Sequence, residues 1–552
     1  MSFTDSTGNR NNRPGLLASI PLLVLVVAVL AALLHILPYW HAQIQTPPGW
    51  TFTGNIHSSP DYMQYRVWTR QTEQTGVLVS NKFTTEPNVP YLPVFLYYAI
   101  GQVSRWTQVA PEFVYAYAGS LFAFVLTILL FVIVRQFMRT TYRTWWVLAV
   151  ILLGGGLGAH LKLLAFFDIV KNNFVLKQTL VEGLAWPTFE DYRGNYVFIS
   201  LFDTHFLLIW VLSAAAVFAL YLALNKPSLW RMLLAASLFA ASTLLHLYEG
   251  VTLIAIMMGV AVLSWRKGLL SRSAVATMAA CTLAVAIAFG WQFLLYRFSG
   301  LPTPTWRGVN ILFSTLLISY PVAWVLIAWG VADYWRQANF DRVFLLGWAL
   351  GCTVLTLSGP FYPYPDRGTM TLQIPLYIVA GDIYFSKYAR VTALPAVVAF
   401  LVLAATPIWT LAFQWKSTNF TPDEASMFLS PAHREIIDVV RQRATENDVL
   451  IVDKTDAAWQ TDDLWLAPEY PGKLYCGHFF LTPDYDRKCA QVNSFFNAPA
   501  SQVSFLKENG IRFVYVAGKD DPSRFESVPG LIPLKSESIG ALFEFTPSTV
   551  VR

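Results

Sequence analysis

The chain has 552 residues, 55% of them hydrophobic and 13% charged, with 20 Trp, 25 Tyr and 39 Phe, and its mean hydropathy is +0.45. Soluble globular chains carry about 25% charged residues, so a wholly soluble fold is excluded. The net charge of +5 is spread over many loops, and no basic run alternates with aromatics, which excludes nucleic acid as a partner.

A membrane span needs roughly 20 apolar residues. Taken in chain order, the apolar runs predict α-helical spans near 15–38, 112–138, 145–166, 199–224, 229–247, 250–265, 273–296, 309–332, 342–358, 369–388 and 391–414. The fold class expected is therefore a polytopic α-helical membrane protein of about eleven spans. The first run is longer than a signal-peptide core and lacks a clear cleavage site, so it reads as a retained span. The apolar stretch 92–106 is short and reads as an interfacial helix. Basic residues support this count. With the N-terminus in the cytoplasm, inner segments hold Arg10 and Arg13, Arg135 to Arg143, Lys226 and Arg231, Arg266 to Arg272, Arg336 and Arg342, and Lys387 and Arg390.

An odd number of spans places the C-terminal residues outside. The expected organisation is a transmembrane domain over 1–415, including a first outer loop at 39–91, and an extracytoplasmic α/β domain over 416–552. In the loop, Pro60 opens a helix that Gly76 ends. Further outer loops carry Glu190-Asp191-Tyr192-Arg193 and Pro363-Tyr364-Pro365-Asp366-Arg367-Gly368. In the C-terminal domain, Ser430-Pro431 opens a helix reaching about Ala444. Val449 to Val452 reads as a strand, Pro499 to Asn509 as a helix closed by Gly510, and Ile511 to Val516 and Leu542 to Phe545 as further strands.

Polar residues that could carry chemistry gather at the outer ends of the spans. Asp61 in a first helical turn suits the helix dipole, and it also suits a general base for an incoming nucleophile. His246 and Glu249, three residues apart, share a helix face between two spans; an acid there must face a wet cavity or a partner. Arg367 at the mouth of a span can grip a phosphate through its planar fork, or form a salt bridge. Glu190, Asp191, Asp203 and His205 could hold a divalent cation, though their spacing is weak as a ligand pattern. Cys476 and Cys489 fall outside the membrane, where they can pair as a disulfide or remain two thiols. Inner loops are short and contain no nucleotide-binding motif, so a cytosolic ATP or sugar-nucleotide site is not expected.

The order of a first span, a long outer loop with Asp61-Tyr62, a Pro-rich stretch from Glu86-Pro87 to Tyr91-Leu92-Pro93, a surface helix and a second span resembles the GT-C superfamily of integral-membrane glycosyltransferases. Its bacterial members related to protein O-mannosyltransferases and lipid A aminoarabinose transferases are similar in this order. Their outer-mouth arginine is similar to Arg367 before Leu372-Gln373-Ile374-Pro375. The layout is shared over about 1–415, the motifs over about 61–120. One acid stands where many members have a pair. Trp145-Trp146 is followed by Val147, which speaks against an oligosaccharyltransferase.

The resemblance implies a polyprenyl-phosphate-dependent, hexosyltransferase-like enzyme. Its donor would be a polyprenyl-phosphate sugar in the outer leaflet and its acceptor an envelope glycan, lipid or protein. Asp61 would act as base and Arg367 would bind the donor phosphate, with Glu249, His246 and Tyr62 as substrate-binding or second acid groups. Some members use a divalent metal ion, for which the four residues named above are the candidates. A transporter or flippase, and a non-catalytic envelope scaffold, are the competing readings.

Overall fold

The computed structural model describes residues 20–56, 60–91, 94–138, 140–164, 172–178, 202–299, 311–359, 361–362, 364–387, 393–422, 426–453, 465–478, 481–518 and 521–546. The main helices, in chain order, begin with α1 (Leu22–Gln45), α2 (Pro60–Thr75), α3 (Phe95–Thr107), α4 (Pro111–Phe137), α5 (Thr141–Leu153) and α6 (Gly158–Leu164). They continue with α7 (Thr204–Asn225), α8 (Leu229–Leu245), α9 (Leu247–Arg266), α10 (Arg272–Ser299), α11 (Phe313–Ser319) and α12 (Pro321–Arg336). The remainder are α13 (Phe340–Thr356), α14 (Gln373–Lys387), α15 (Ala393–Ser417), α16 (Pro431–Arg443), α17 (Tyr485–Asn497) and α18 (Val503–Glu508).

Each apolar run read from the sequence contains a helix. Among the described residues, five helices are long and apolar enough to cross a membrane, and two bent pairs raise the number to seven. The protein is thus mostly helical and polytopic, with a small sheet region. Helix α3, at 13 residues, is shorter than a span.

The chain forms two compact units. One comprises 1–36, 119–285 and 308–411; the other comprises 37–118, 286–307 and 412–552. The first is the helical bundle. Its most extensive helix pair is α9 with α13, and the cause is the absence of side chains at the contact. A Cβ on Gly259 would overlap the Gly347 carbonyl oxygen, and one on Gly351 would overlap that of Ala255. Small residues let two backbones touch where lipid provides no hydrophobic drive to pack helices.

Helices α5 and α6 meet at 47° across Gly154-Gly155-Gly156. Breaking a helix inside a bilayer orphans backbone groups. Here they are answered: Gly155 N–H donates to the Leu403 carbonyl at 2.7 Å, Thr406 Oγ1 to Gly156 O at 2.5 Å, and Gln373 Nε2 to Ile151 O at 2.6 Å.

In the second unit, five strands form a mixed sheet in the order β4-β3-β5-β7-β6. They are β3 (Val449–Val452), β4 (Lys473–Leu474), β5 (Ile511–Ala517), β6 (Leu531–Glu537) and β7 (Gly540–Phe545). Strand β3 runs parallel to β4 and β5, while β7 is antiparallel to β5 and β6. Phe495, Phe505, Leu506, Val514, Val516 and Phe543 fill one core.

The first outer loop packs with the C-terminal residues in this same unit, although it precedes the boundary expected at 415. Two short strands, β1 (Thr51–Phe52) and β2 (Phe428–Leu429), pair antiparallel. The side chain of Asn81 donates to the Leu481 carbonyl at 2.7 Å, and Leu474 N–H to Lys82 O at 2.7 Å.

Candidate functional site

Both units hold polar clusters, and each is described within its own unit. In the bundle, His246 is at once the C-cap of α8 and the N-cap of α9, in an extended conformation (φ −149°, ψ 109°). That break places Glu249 in the first turn of α9, where the helix dipole favours an acid. Glu249 has no solvent exposure. The His246 imidazole lies beside it, with Nδ1 3.6 Å from Oε1. Neither carboxylate oxygen makes a hydrogen bond of good geometry, although the Ser213 hydroxyl is near.

The surroundings are aromatic and basic. The His205 ring lies 5.8 Å from that of His246, and Tyr248 lies 3.7 Å from Tyr364. Arg367 sits on a 3-10 turn, Pro365–Thr369, with its guanidinium 5.3 Å over the Phe206 ring and Nε 3.5 Å from Asp366. Burial raises the pKa of the Tyr362 phenol; the Glu249 carboxylate adds to this and Arg367 opposes it. The structure therefore gathers Glu249, His246, His205 and Arg367 in one place. Arg367 also makes the salt bridge that was the alternative reading of it.

Asp203 serves as the N-cap of α7, its Oδ1 accepting from His205 N–H at 2.8 Å and Phe206 N–H at 3.3 Å. Glu190 and Asp191 lie outside the described residues. Among those described, no three His, Cys, Asp or Glu side chains gather as a cation site.

In the second unit, Asp61 occupies the first turn of α2. Its side chain is 47% exposed, and one oxygen, Oδ1, lies 3.0 Å from Nε2 of the fully buried His478. The His478 ring is set against Phe83 at 5.8 Å. Tyr62 is buried, edge-on to Tyr115 at 5.7 Å.

Farther along the same helix, Arg66 and Arg70 enter an ion network. Glu112 Oε1 accepts from Arg66 Nε at 3.2 Å, Arg66 Nη2 at 3.0 Å and Arg70 Nη2 at 3.0 Å. Glu469 accepts from Arg66 at 3.1 Å and from Arg441. Burial alone would raise the pKa of Glu469, but Arg66, Arg70 and Arg441 together hold it below the ordinary carboxylate range. The sulfurs of Cys476 and Cys489 lie 2.7 Å apart.

Sequence reading missed His478, Glu112 and Glu469. The i, i+4 spacing of Arg66 and Arg70 was the one local signal of the network.

Comparison with known proteins adds the fold. No family model matches this chain, and no curated protein matches it. A solved structure does, that of the arabinofuranosyltransferase AftD from Mycobacteria, determined by single-particle cryo-EM. The chain shares its fold with that structure. The TM-score is 0.51 and the identity 15%, over 96% of this chain and 40% of AftD. The chain thus spans two-fifths of that protein's length, and the likeness is one of fold.

Proposed function

We propose that this chain is an integral-membrane glycosyltransferase. It moves a sugar from a polyprenyl-phosphate donor to an envelope acceptor at the outer face of the membrane, with inversion at the anomeric carbon. The observation that carries the reading is the likeness in fold to a membrane arabinofuranosyltransferase over 96% of the chain. Eleven spans, a cytoplasmic N-terminus and an outer C-terminal domain belong to the same proposal.

In the reaction, an acceptor oxygen or nitrogen attacks the anomeric carbon and gives its proton to Asp61. The bond from that carbon to the phosphate oxygen breaks, and the electron pair leaves with the lipid phosphate. The environment of Asp61 supports its role: His478 holds one oxygen, and a side chain 47% exposed can still meet an acceptor. Arg367 binds the donor phosphate, where charge grows in the transition state and a fixed cation counts most. Glu249 and His246 supply further substrate contacts or a second acid. Cys476 and Cys489 close as a disulfide in an oxidising exterior.

One observation favours a second reading. An acid, two imidazoles and an arginine inside a helical bundle also suit a transporter, which places ionisable groups within its spans. A single assay separates the two. Purified protein is given a radiolabelled polyprenyl-phosphate sugar, with Asp61→Asn as control. Label transfer that Asp61→Asn abolishes is the expected result. Transfer that survives the substitution removes Asp61 as the base. Substrate flux without transfer supports the transporter.

A further inference from the structure

The second unit contains a cavity of about 270 Å³ between the first outer loop, α2 and α16. Trp50, Phe52 and Phe113 form its apolar wall, and Arg66, Arg70 and Arg434 its basic one. We propose that this cavity binds a single sugar carrying an anionic group, a phosphate or a carboxylate.

Charge accounting leads to the anion. Three guanidinium groups line it, those of Arg66, Arg70 and Arg434, and two carboxylates, those of Glu112 and Glu469. Three less two leaves one positive charge, and it belongs to Arg434. The guanidinium of Arg434 donates to the Thr51 hydroxyl, and among the described residues no carboxylate pairs with it. A second observation agrees. Arg70 Nε is buried and has no hydrogen-bond partner among the described residues, a cost that native structures rarely leave standing. The other arginines are held in place by their carboxylates, so their donors are already oriented when a ligand arrives.

Size and walls lead to the sugar. Small-molecule pockets are roughly 300–1,000 Å³, so about 270 Å³ suits one sugar ring with a charged substituent and not an oligosaccharide. The Trp50 ring is fixed edge-on by Phe420 at 4.9 Å, and Phe52 packs on Phe428 at 5.8 Å. Rigid aromatic plates of this kind cover the C–H faces of a pyranose or furanose. Hydroxyls find Gln43 and Thr51 on the same lining. The site does not require the transferase reading, and it stands or falls on binding alone.

The test is calorimetric titration of the full-length protein in detergent with glucose 1-phosphate, glucuronate, glucose and inorganic phosphate. The two anionic sugars are expected to bind about tenfold or more tightly than glucose, as one charge-assisted hydrogen bond would give. Arg434→Gln should abolish that preference without altering the thermal midpoint, because Arg434 is exposed. Trp50→Ala should weaken both anionic sugars and leave inorganic phosphate unchanged. Equal affinity for glucose and glucose 1-phosphate would overturn the anion assignment, as would an unchanged preference in Arg434→Gln. Inorganic phosphate binding as tightly as glucose 1-phosphate would overturn the sugar assignment.

Discussion

Buried carboxylates are treated in opposite ways in the two units. Glu112 takes three guanidinium N–H groups on one oxygen, all within 3.2 Å. Glu249, equally buried, has a single imidazole at 3.6 Å and no well-formed hydrogen bond. A carboxylate so heavily engaged on one oxygen is committed to its network, which serves to fix geometry. An undersaturated one keeps its capacity for a ligand or a proton. Asp61 lies between these extremes, with one oxygen tied to His478 and the side chain half exposed.

The largest effect expected is from Asp61→Asn. Loss of a general base costs about 10²–10⁴ in rate, so transfer of label should fall about 10³-fold while the melting temperature stays put. A fall in both would reclassify Asp61 with the structural carboxylates. Next comes the paired substitution Glu112→Gln and Glu249→Gln, read by chemical unfolding. Removing one partner of a buried pair costs about 3–5 kcal/mol, so Glu112→Gln should lose about 3 kcal/mol. Glu249→Gln should lose under about 1 kcal/mol, since few contacts are given up. Equal losses would erase the distinction between the units.

Arg367→Lys keeps the charge but not the planar fork. Donor-dependent transfer should drop by about 10- to 100-fold, measured as the ratio kcat/KM for the donor. The smallest effect concerns pH. Burial lowers the pKa of His433 to about 4, while its Nδ1 accepts from the Ser430 N–H at 3.1 Å in the cap of α16. The folded value lies below the unfolded value of about 6.5, so the unfolded chain binds the proton more tightly. Stability present above pH 6.5 is therefore lost as pH falls toward 4. Between pH 8 and pH 5 the loss should be about 2 kcal/mol, and His433→Gln should flatten it.

Local features were legible in the sequence. Gly76 adopts φ +105° just after α2 ends at Thr75, and Ser430-Pro431 caps α16 as its residue types dictate. Strands β3, β5 and β7 declare themselves as short apolar runs, because both of their faces are covered. Strand β6 does not. It is only partly buried, turns polar from Lys535 onward and is interrupted by Pro533, as an edge strand can be.

The candidate sites were legible only in part. Glu249 and Arg367 announced themselves by being ionisable at the ends of apolar runs, and they do lie within one cluster. The partner of Asp61 did not, since His478 is 417 positions away and is a lone histidine in a largely apolar stretch. The same holds for Glu469 and its arginines: no local periodicity encodes a contact that only the tertiary fold creates. Helix α1 also runs on to Gln45 past Pro38, where periodicity alone would stop it. The continuation is held by His41, whose Nδ1 meets Thr418 at 3.0 Å and whose ring lies 4.2 Å from Trp415.

The glycines between α9 and α13 have one further effect. Glu249 lies in the first turn of α9, and the turn that carries Arg367 is pressed on α13, where a Cβ on Gly368 would come within 2.7 Å of the Cys352 carbonyl. Acid and arginine are thus mounted on one stiff frame with no slack for adjustment. Any molecule that reaches them has to do the bending itself, so selectivity at this end should be strict. Enlarging Gly351 or Gly368 by even a methyl group should shift both charges together.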